Sequence, residues 1–405
     1  MAEGAMRGTP FHPSTSARNT STWWYGWGGY VVPDVYTDLH TEMAAIRSGV
    51  SMNEMSPIPK IEVRGADAQA CVDYLIPRNV AKMDVGRAWY TPWCNDDGQV
   101  VADGIIFRFE PDRFIFSGDN CTEFLRQKSL PFDVEVTNRT DDYGILALQG
   151  PLSAHVLGNA TGEDWSDLGF SRIRATEIAG AQVRVARQGF TGELGFELWV
   201  DRPNGHKVWE AVAEAGADSG IQPAGEYAID IARVEAGLLL ISAEYTTASG
   251  EDPSSDVPPN PVDYVTPYEL NLGHCVKLDK PADFVGRDAL AVEAERGPER
   301  RLVGLEFDSG ELVQLALEHG LAPDISPRVR WDHLPLMHGD EVVGRASSVT
   351  WSPSVSALIG FGLVPTALSD PGIELSVQWS DYWGKGLGPA SVRTRSYPFI
   401  ELSRS

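Results

Sequence analysis

Cysteine is scarce and scattered: Cys71, Cys94, Cys121 and Cys275 form no CxxC pair. That excludes a disulfide framework and a cysteine-rich zinc site, and leaves reduced, buried thiols of a cytoplasmic protein. Basic residues are also short, 33 Lys and Arg against 57 Asp and Glu, for a formal charge of −24. Such a balance repels nucleic acid and anionic membrane surfaces, although a local group of arginines can still hold an anionic ligand. No run is long and apolar enough to span a bilayer. The N-terminal stretch MAEGAMRGTPFHPSTSARNTS lacks the apolar core of a signal peptide and reads as an extended arm. No His, Asp and Glu cluster has ligand spacing, so no metal is expected. The absence of a dinucleotide fingerprint argues against a flavin-dependent oxidase.

What remains is a chain of 405 residues, 42% hydrophobic and 22% charged, long enough for two or three packed domains. Helical spacing covers Tyr36 to Gly49, Ala68 to Ile76, Leu152 to Leu157, Pro203 to Ala217 and Tyr227 to Leu239. Strand patterns cover Ile61–Val63, Ala88–Trp93, Val100–Phe109 and Phe114–Ser117, then Gly144–Gln149, Ile173–Ile178, Gln182–Gln188 and Phe196–Val200. The two groups resemble a duplicated β-α-β unit. A loop from Thr246 to Thr266, rich in Ser, Asp and Pro, is long enough to be functional or mobile. From about Val303 the chain is strand-rich with helix-poor connections, the pattern of a small barrel. The expected division is an arm (1–30), a first α/β domain (31–140), a second (141–300) and a C-terminal barrel (301–405).

Five side-chain groups carry candidate chemistry. In RQGFTGELGFELWV, Arg187 to Val200, alternation puts Phe196 and Leu198 on one face and Glu197 with Trp199 on the other, so Glu197 is either a ligand hook or an edge-strand carboxylate in water. Asp103 sits in VVADGIIF between apolar neighbours, where an unpaired carboxylate is unfavourable unless it meets a ligand or caps a turn. Arg233 either contacts ligand or pairs with Asp230 or Glu226 on its own helix. The run WWYGWGGY, Trp23 to Tyr30, is an aromatic wall for a planar ring or a methylated cation, or a plug sealing the arm. Tyr245 is a general acid or a helix-exit cap. His274 and Cys275 read as packing residues.

The 187–200 segment resembles the Arg-x-Gly-[Tyr/Phe]-Thr-Gly-Glu-x-Gly-Phe-Glu pattern of the folate-binding aminomethyltransferase family, whose founding member is the glycine cleavage T-protein. Further similar segments fall in the family's order: TPF (Thr9 to Phe11), WGGYVVPDVY (Trp27 to Tyr36), VRGADA (Val63 to Ala68), DGQVVADGIIF (Asp97 to Phe107) and LALQGP (Leu146 to Pro151). ARVEAG (Ala232 to Gly237), DFVGRDAL (Asp283 to Leu290) and WSPSVSALIGFGLV (Trp351 to Val364) complete the series.

This resemblance implies an α+β fold of three domains in a ring around a central folate channel, with a β-barrel-like C-terminal domain. It implies tetrahydrofolate as methyl acceptor, with Glu197 on the pterin-binding position, where one carboxylate accepts two hydrogen bonds. Asp103 (catalytic and folate-binding), Arg233 and Tyr30 (folate), and Trp27, Tyr30 and Tyr245 (donor, with Tyr245 also catalytic) complete the expected site. Two departures from the T-protein stand out: Ala102 replaces one Asp of a pair, and Ile229 replaces an Arg. DYVTPYELNLGHCVKLDKPADFVGRDAL, from Asp263, looks most like tetrahydrofolate-dependent O-demethylases of aromatic methyl ethers. The TPF start and LIPRNVAKMDVGR (Leu75 to Arg87) look like the dimethylsulfoniopropionate demethylase. The expected activity is methyl transfer from a small methylated donor, foremost a methoxybenzoate, to N5 of tetrahydrofolate. S-demethylation, glycine-cleavage aminomethyl transfer and non-catalytic folate binding are the alternatives. Oligomeric state stays open, since net charge says nothing about symmetry.

Overall fold

A computed structural model describes residues 5–249, 263–323, 325, 328–381 and 383–403. Most of the expected 246–266 loop lies outside the described residues. The N-terminal segment is folded, not an extended arm. Strand Tyr30–Val35 pairs antiparallel with Trp23–Trp27 and parallel with Arg7–Gly8. Gly28 and Gly29, at φ 55° and 81°, form the two-residue turn between them, a geometry that side-chain-bearing residues resist. Helix His12–Arg18 is tied to the body by Phe11 against Trp209, 5.7 Å between ring centroids, and by a two-pronged contact of Arg18 with Glu210 at 2.8 and 2.6 Å. The boundary expected near residue 30 therefore cuts a strand.

Two sheets, antiparallel but for the parallel edge strand Gln222–Pro223 of the second, follow the same plan. One runs Arg87–Cys94, Val100–Glu110, Arg113–Gly118, Lys60–Arg64, Glu135–Asn138; the other runs Ile173–Ile178, Ala181–Ala186, Gly195–Asp201, Tyr143–Gln149, Ser51–Glu54, with Gln222–Pro223 at its edge. In each, a three-strand meander lies beside the strand that precedes it in the chain. In each, one helix follows that preceding strand (Ala68–Leu75, Ser153–Thr161) and another follows the meander (Thr122–Ser129, Gly205–Ala215). The duplication expected from the sequence is thus present in strand order. The fifth position differs, because Ser51–Glu54 joins the second sheet from before the first unit, so that sheet crosses the division drawn at 140.

The C-terminal strands close a barrel in the order Arg300–Phe307, Ala357–Pro365, Glu341–Ser352, Leu334–His338, Glu374–Ser380, Gly386–Arg395. One connection carries a ten-residue helix, Ser309–Glu318, N-capped by Asp308, which the helix-poor reading missed. Helix Glu226–Glu235 packs between the N-terminal hairpin and barrel strand Glu341–Ser352. It ends before the expected Leu239 because Gly237 turns the chain at φ 71°. Its apolar face joins Ala228, Ile231 and Ala232 to Tyr245, Phe361 and Phe399 in one core. All four cysteines are free and buried. No described helix is long and apolar enough to cross a membrane.

Strand Val100–Glu110 approaches Arg113–Gly118 most closely at Gly104, where an added Cβ would run into the Ser117 carbonyl and lie 3.0 Å from the Gly118 Cα. Gly104→Ala is therefore expected to lower unfolding free energy by about 1–3 kcal/mol. Urea titration reads this, and an unmoved midpoint would mean that the strand pair relaxes freely.

Candidate functional site

A cavity of about 1140 Å³ lies where the two sheets, helix Glu226–Glu235 and the barrel meet. That exceeds the usual size of a single small-molecule site and leaves room for two ligands side by side. Three parts of its wall carry distinct chemistry.

The first is Glu197. Strand Gly195–Asp201 is central in its sheet, and the alternation read from the sequence holds: Phe196 and Leu198 enter an apolar core while Glu197 faces the cavity. Its carboxylate accepts one hydrogen bond, from Trp199 Nε1 at 3.4 Å. Burial pushes its pKa up to about 7, opposed by the indole and by Lys60. Lys60 is fully buried, its Nζ donating to the Ser56 and Ile58 carbonyls at 2.7 and 2.8 Å. Burial lowers its pKa to about 7. Glu197 thus has unused acceptor capacity aimed into the cavity.

The second is Asp103. Pro92 sits opposite it across the strand pair, which puts Tyr90 two residues away on the same face. Tyr90 donates to Asp103 Oδ2 at 2.5 Å, and Tyr245 donates to Oδ1. Burial raises the Asp103 pKa, while the two phenols pull it down. Burial and the Asp103 charge raise both tyrosines well above the ordinary phenol value. The phenols therefore stay protonated and hold the carboxylate in a fixed orientation.

The third is the end facing the N-terminal hairpin. Tyr25, Asp34, Glu226, Asp230, Arg328 and Trp331 line it, while Trp27, also on the wall, packs beside Met55 and Trp199. Asp34 is held by Arg328 through both its oxygens, and Arg328 lies 4.0 Å from the centre of the Tyr227 ring. Asp230 accepts from Arg233 Nε at 2.9 Å and Trp331 Nε1 at 2.8 Å.

Several expectations are corrected. Tyr245 is fully buried and absent from the cavity wall; its hydroxyl is spent on Asp103, so it orients that carboxylate and cannot touch a donor in the cavity. Arg233 is fully buried and faces the barrel, bound to Asp230, to Glu244 at 2.8 Å and to Ser348 at 2.7 Å. Its position on the helix turns it from the cavity, and it is spoken for by two carboxylates. Tyr30 is likewise off the wall, its ring under Arg7 at 4.4 Å and its hydroxyl on Asp141. His274, read as a packing residue, lines the cavity. Ala102 lies in the apolar core behind Asp103, so its lack of a carboxylate leaves the cavity unchanged. Ile229 does face the cavity. Of the expected residues, Glu197, Asp103 and Trp27 share the cavity wall. Tyr90 was legible from strand alternation opposite Asp103; Trp331 and Arg328 had no local signal.

Residues 15–253 match the family described as the GCVT N-terminal domain, and residues 300–385 match the glycine cleavage T-protein C-terminal barrel domain. The aminomethyltransferase of Saccharopolyspora erythraea is 32% identical over 377 residues, covering 92% of this chain and 93% of its own. That of Streptomyces avermitilis is 33% identical over 352 residues, covering 85% and 86%. The crystal structure of the glycine cleavage system aminomethyltransferase T from Bartonella henselae superposes with a TM-score of 0.80 at 22% identity, covering 98% and 99%. Its likeness shows the fold.

Removing Arg233 would leave Glu244 and Asp230 buried without their counter-charge. Arg233→Met is expected to cost about 3–5 kcal/mol of stability while the folded fraction keeps its ligand affinity. Thermal unfolding and a binding titration on the same preparation separate the two, and lost affinity at unchanged stability would return Arg233 to the ligand site.

Proposed function

The chain belongs to the GCVT aminomethyltransferase family, in which tetrahydrofolate accepts the one-carbon unit, and on that premise we propose that it moves a methyl group from a small donor to N5 of tetrahydrofolate. The observation that carries the reading is Glu197: a carboxylate enclosed at the cavity wall with one weak partner. The pterin edge offers paired N–H donors, and a carboxylate can accept both. Bound there, tetrahydrofolate supplies a nucleophilic amine. The residues then do the rest: Glu197 orients the ring, Asp103 stands fixed by Tyr90 and Tyr245 as an acceptor for the proton that N5 releases, and the apolar wall of Met55, Ile58 and Ile105 keeps water out. Most of the acceleration comes from holding donor and acceptor in line. Arg78, stacked on Trp89 at 4.5 Å, and Arg301 and Arg395 lie on the cavity wall as counter-charges for carboxylates carried by either ligand.

A second reading is aminomethyl transfer, which the names of the relatives favour. The product separates the two: 5-methyltetrahydrofolate for methyl transfer, 5,10-methylenetetrahydrofolate for aminomethyl transfer, both read by mass spectrometry. Among methyl donors, an aromatic methyl ether needs an acid for its departing phenolate, and Tyr245, the sequence-level choice, donates instead to Asp103.

Because Glu197 must be ionised to accept two donors and burial has raised its pKa to about 7, tetrahydrofolate affinity is expected to fall as pH drops through 7. Glu197→Gln should lower affinity by about 100-fold and flatten that pH dependence. Unchanged affinity would remove Glu197 from the site. Tyr245→Phe takes away one of the two donors to Asp103, so the acid limb of the pH–rate profile should move to higher pH with donor KM unchanged. A changed KM with an unmoved profile would instead put Tyr245 against the donor.

A further inference from the structure

We infer that the methyl donor is a cation, a methylated ammonium or sulfonium, held at the end of the cavity between Glu226 and the aromatic side chains of Tyr25 and Trp331. The inference rests on the methyl-transfer reading above and names the donor class for that site. It starts from the charges at that end. Asp34 is matched by Arg328, and Asp230 by Arg233 and the Trp331 indole. Glu226 lines the cavity yet makes no hydrogen bond or ion pair with any described residue. Burial and the neighbouring Asp230, Glu54 and Asp34 raise its pKa well above the ordinary value, and a bound cation is the counter-charge that would bring it back down and hold the ionised form. Tyr25 shares the cavity wall with Glu226, and burial together with the nearby Glu226, Asp230 and Asp34 raises its pKa, so it belongs to the same negative corner.

A carboxylate supplies net charge and aromatic faces supply polarisable, weakly solvating walls, the combination that binds a methylated onium, which has no N–H to donate. A cation stabilises the ionised carboxylate, whereas a neutral ether brings no charge to do so. The chemistry agrees. From an onium the methyl–nitrogen or methyl–sulfur bond breaks with its electron pair leaving on a neutral amine or sulfide, the N5 lone pair forms the new bond, and the N5 proton passes to Asp103 or water. No acid is needed at the leaving group, which accords with a phenol that serves Asp103 from behind the wall.

The test uses the full chain and three probes: tetramethylammonium, trimethylsulfonium and the neutral neopentyl alcohol of similar size. Calorimetric titration should show at least tenfold tighter binding of a cation than of the alcohol. Glu226→Gln should abolish that preference and leave tetrahydrofolate affinity unchanged. Production of 5-methyltetrahydrofolate from one cation and not the other then distinguishes ammonium from sulfonium. Equal binding of cation and alcohol by the parent chain, a preference that survives Glu226→Gln, or turnover of an aryl methyl ether with neither cation accepted would overturn the inference. Failure of tetrahydrofolate to bind is a separate result and would overturn the methyl-transfer reading instead.

Discussion

Helix Glu226–Glu235 is held in place by two buried guanidinium networks, and the cavity depends on both. Arg233 ties the helix to Glu244 and to barrel residue Ser348. At its last residue, Glu235 accepts from Arg47 at 2.6 and 3.0 Å and from Ser352 and Ser354 of the barrel segment at 2.5 and 2.9 Å. Arg47 also reaches Glu193 at 3.0 Å and the Thr191 carbonyl at 2.6 Å, so the Gly-rich loop before the Glu197 strand hangs on the same cluster. Such ion pairs gain little net stability over an apolar core, but each is costly to break, and that makes the arrangement specific. Here the specificity is positional: the networks connect second sheet, helix and barrel around one empty centre.

That centre is an uneven electrostatic environment. Glu197, Asp103 and Glu226 all sit where burial disfavours charge, yet their surroundings differ. Two phenols satisfy Asp103, one indole half-satisfies Glu197, and Glu226 has no partner among the described residues. A carboxylate with fixed partners is suited to accept a proton at a set position; one with open acceptor sites is suited to recognise N–H groups; one without partners is suited to a cation. Three residues of the same chemical type are thereby given three different environments by what lies beside them.

The duplicated sheets explain how this is achieved with ordinary strands. Each sheet turns one face to its own helices and the other toward the centre, and each contributes one inward carboxylate from its meander, Asp103 from Val100–Glu110 and Glu197 from Gly195–Asp201. The N-terminal hairpin and the barrel then supply the aromatic and arginine parts of the wall. The cavity thus lies at the seam between units that individually are packed for stability.

Much of this was readable in one dimension. Period-two alternation established that Glu197 and Trp199 share a face, hydrophobic spacing located most strands of the two sheets and barrel but not helices such as Thr122–Ser129 and Arg287–Arg296, and the ordered motifs identified the family and with it the barrel and the acceptor. These are local properties, determined by which neighbours lie two or four residues away. What only tertiary structure decided was where long side chains end. Arg233, Tyr30 and Tyr245 looked as available for ligand as Trp27, and each is consumed by a carboxylate brought from elsewhere: Glu244 by way of the helix exit, Asp141 from the far side of the first sheet, Asp103 across 142 residues. Glu226, read as a possible partner of Arg233, lines the cavity instead and has no hydrogen-bond or ion-pair partner among the described residues, Asp230 having taken the guanidinium. The physical reason is that a charged group's partner is set by three-dimensional proximity, and in a buried setting the presence or absence of that partner, more than the residue type, determines what the group can do.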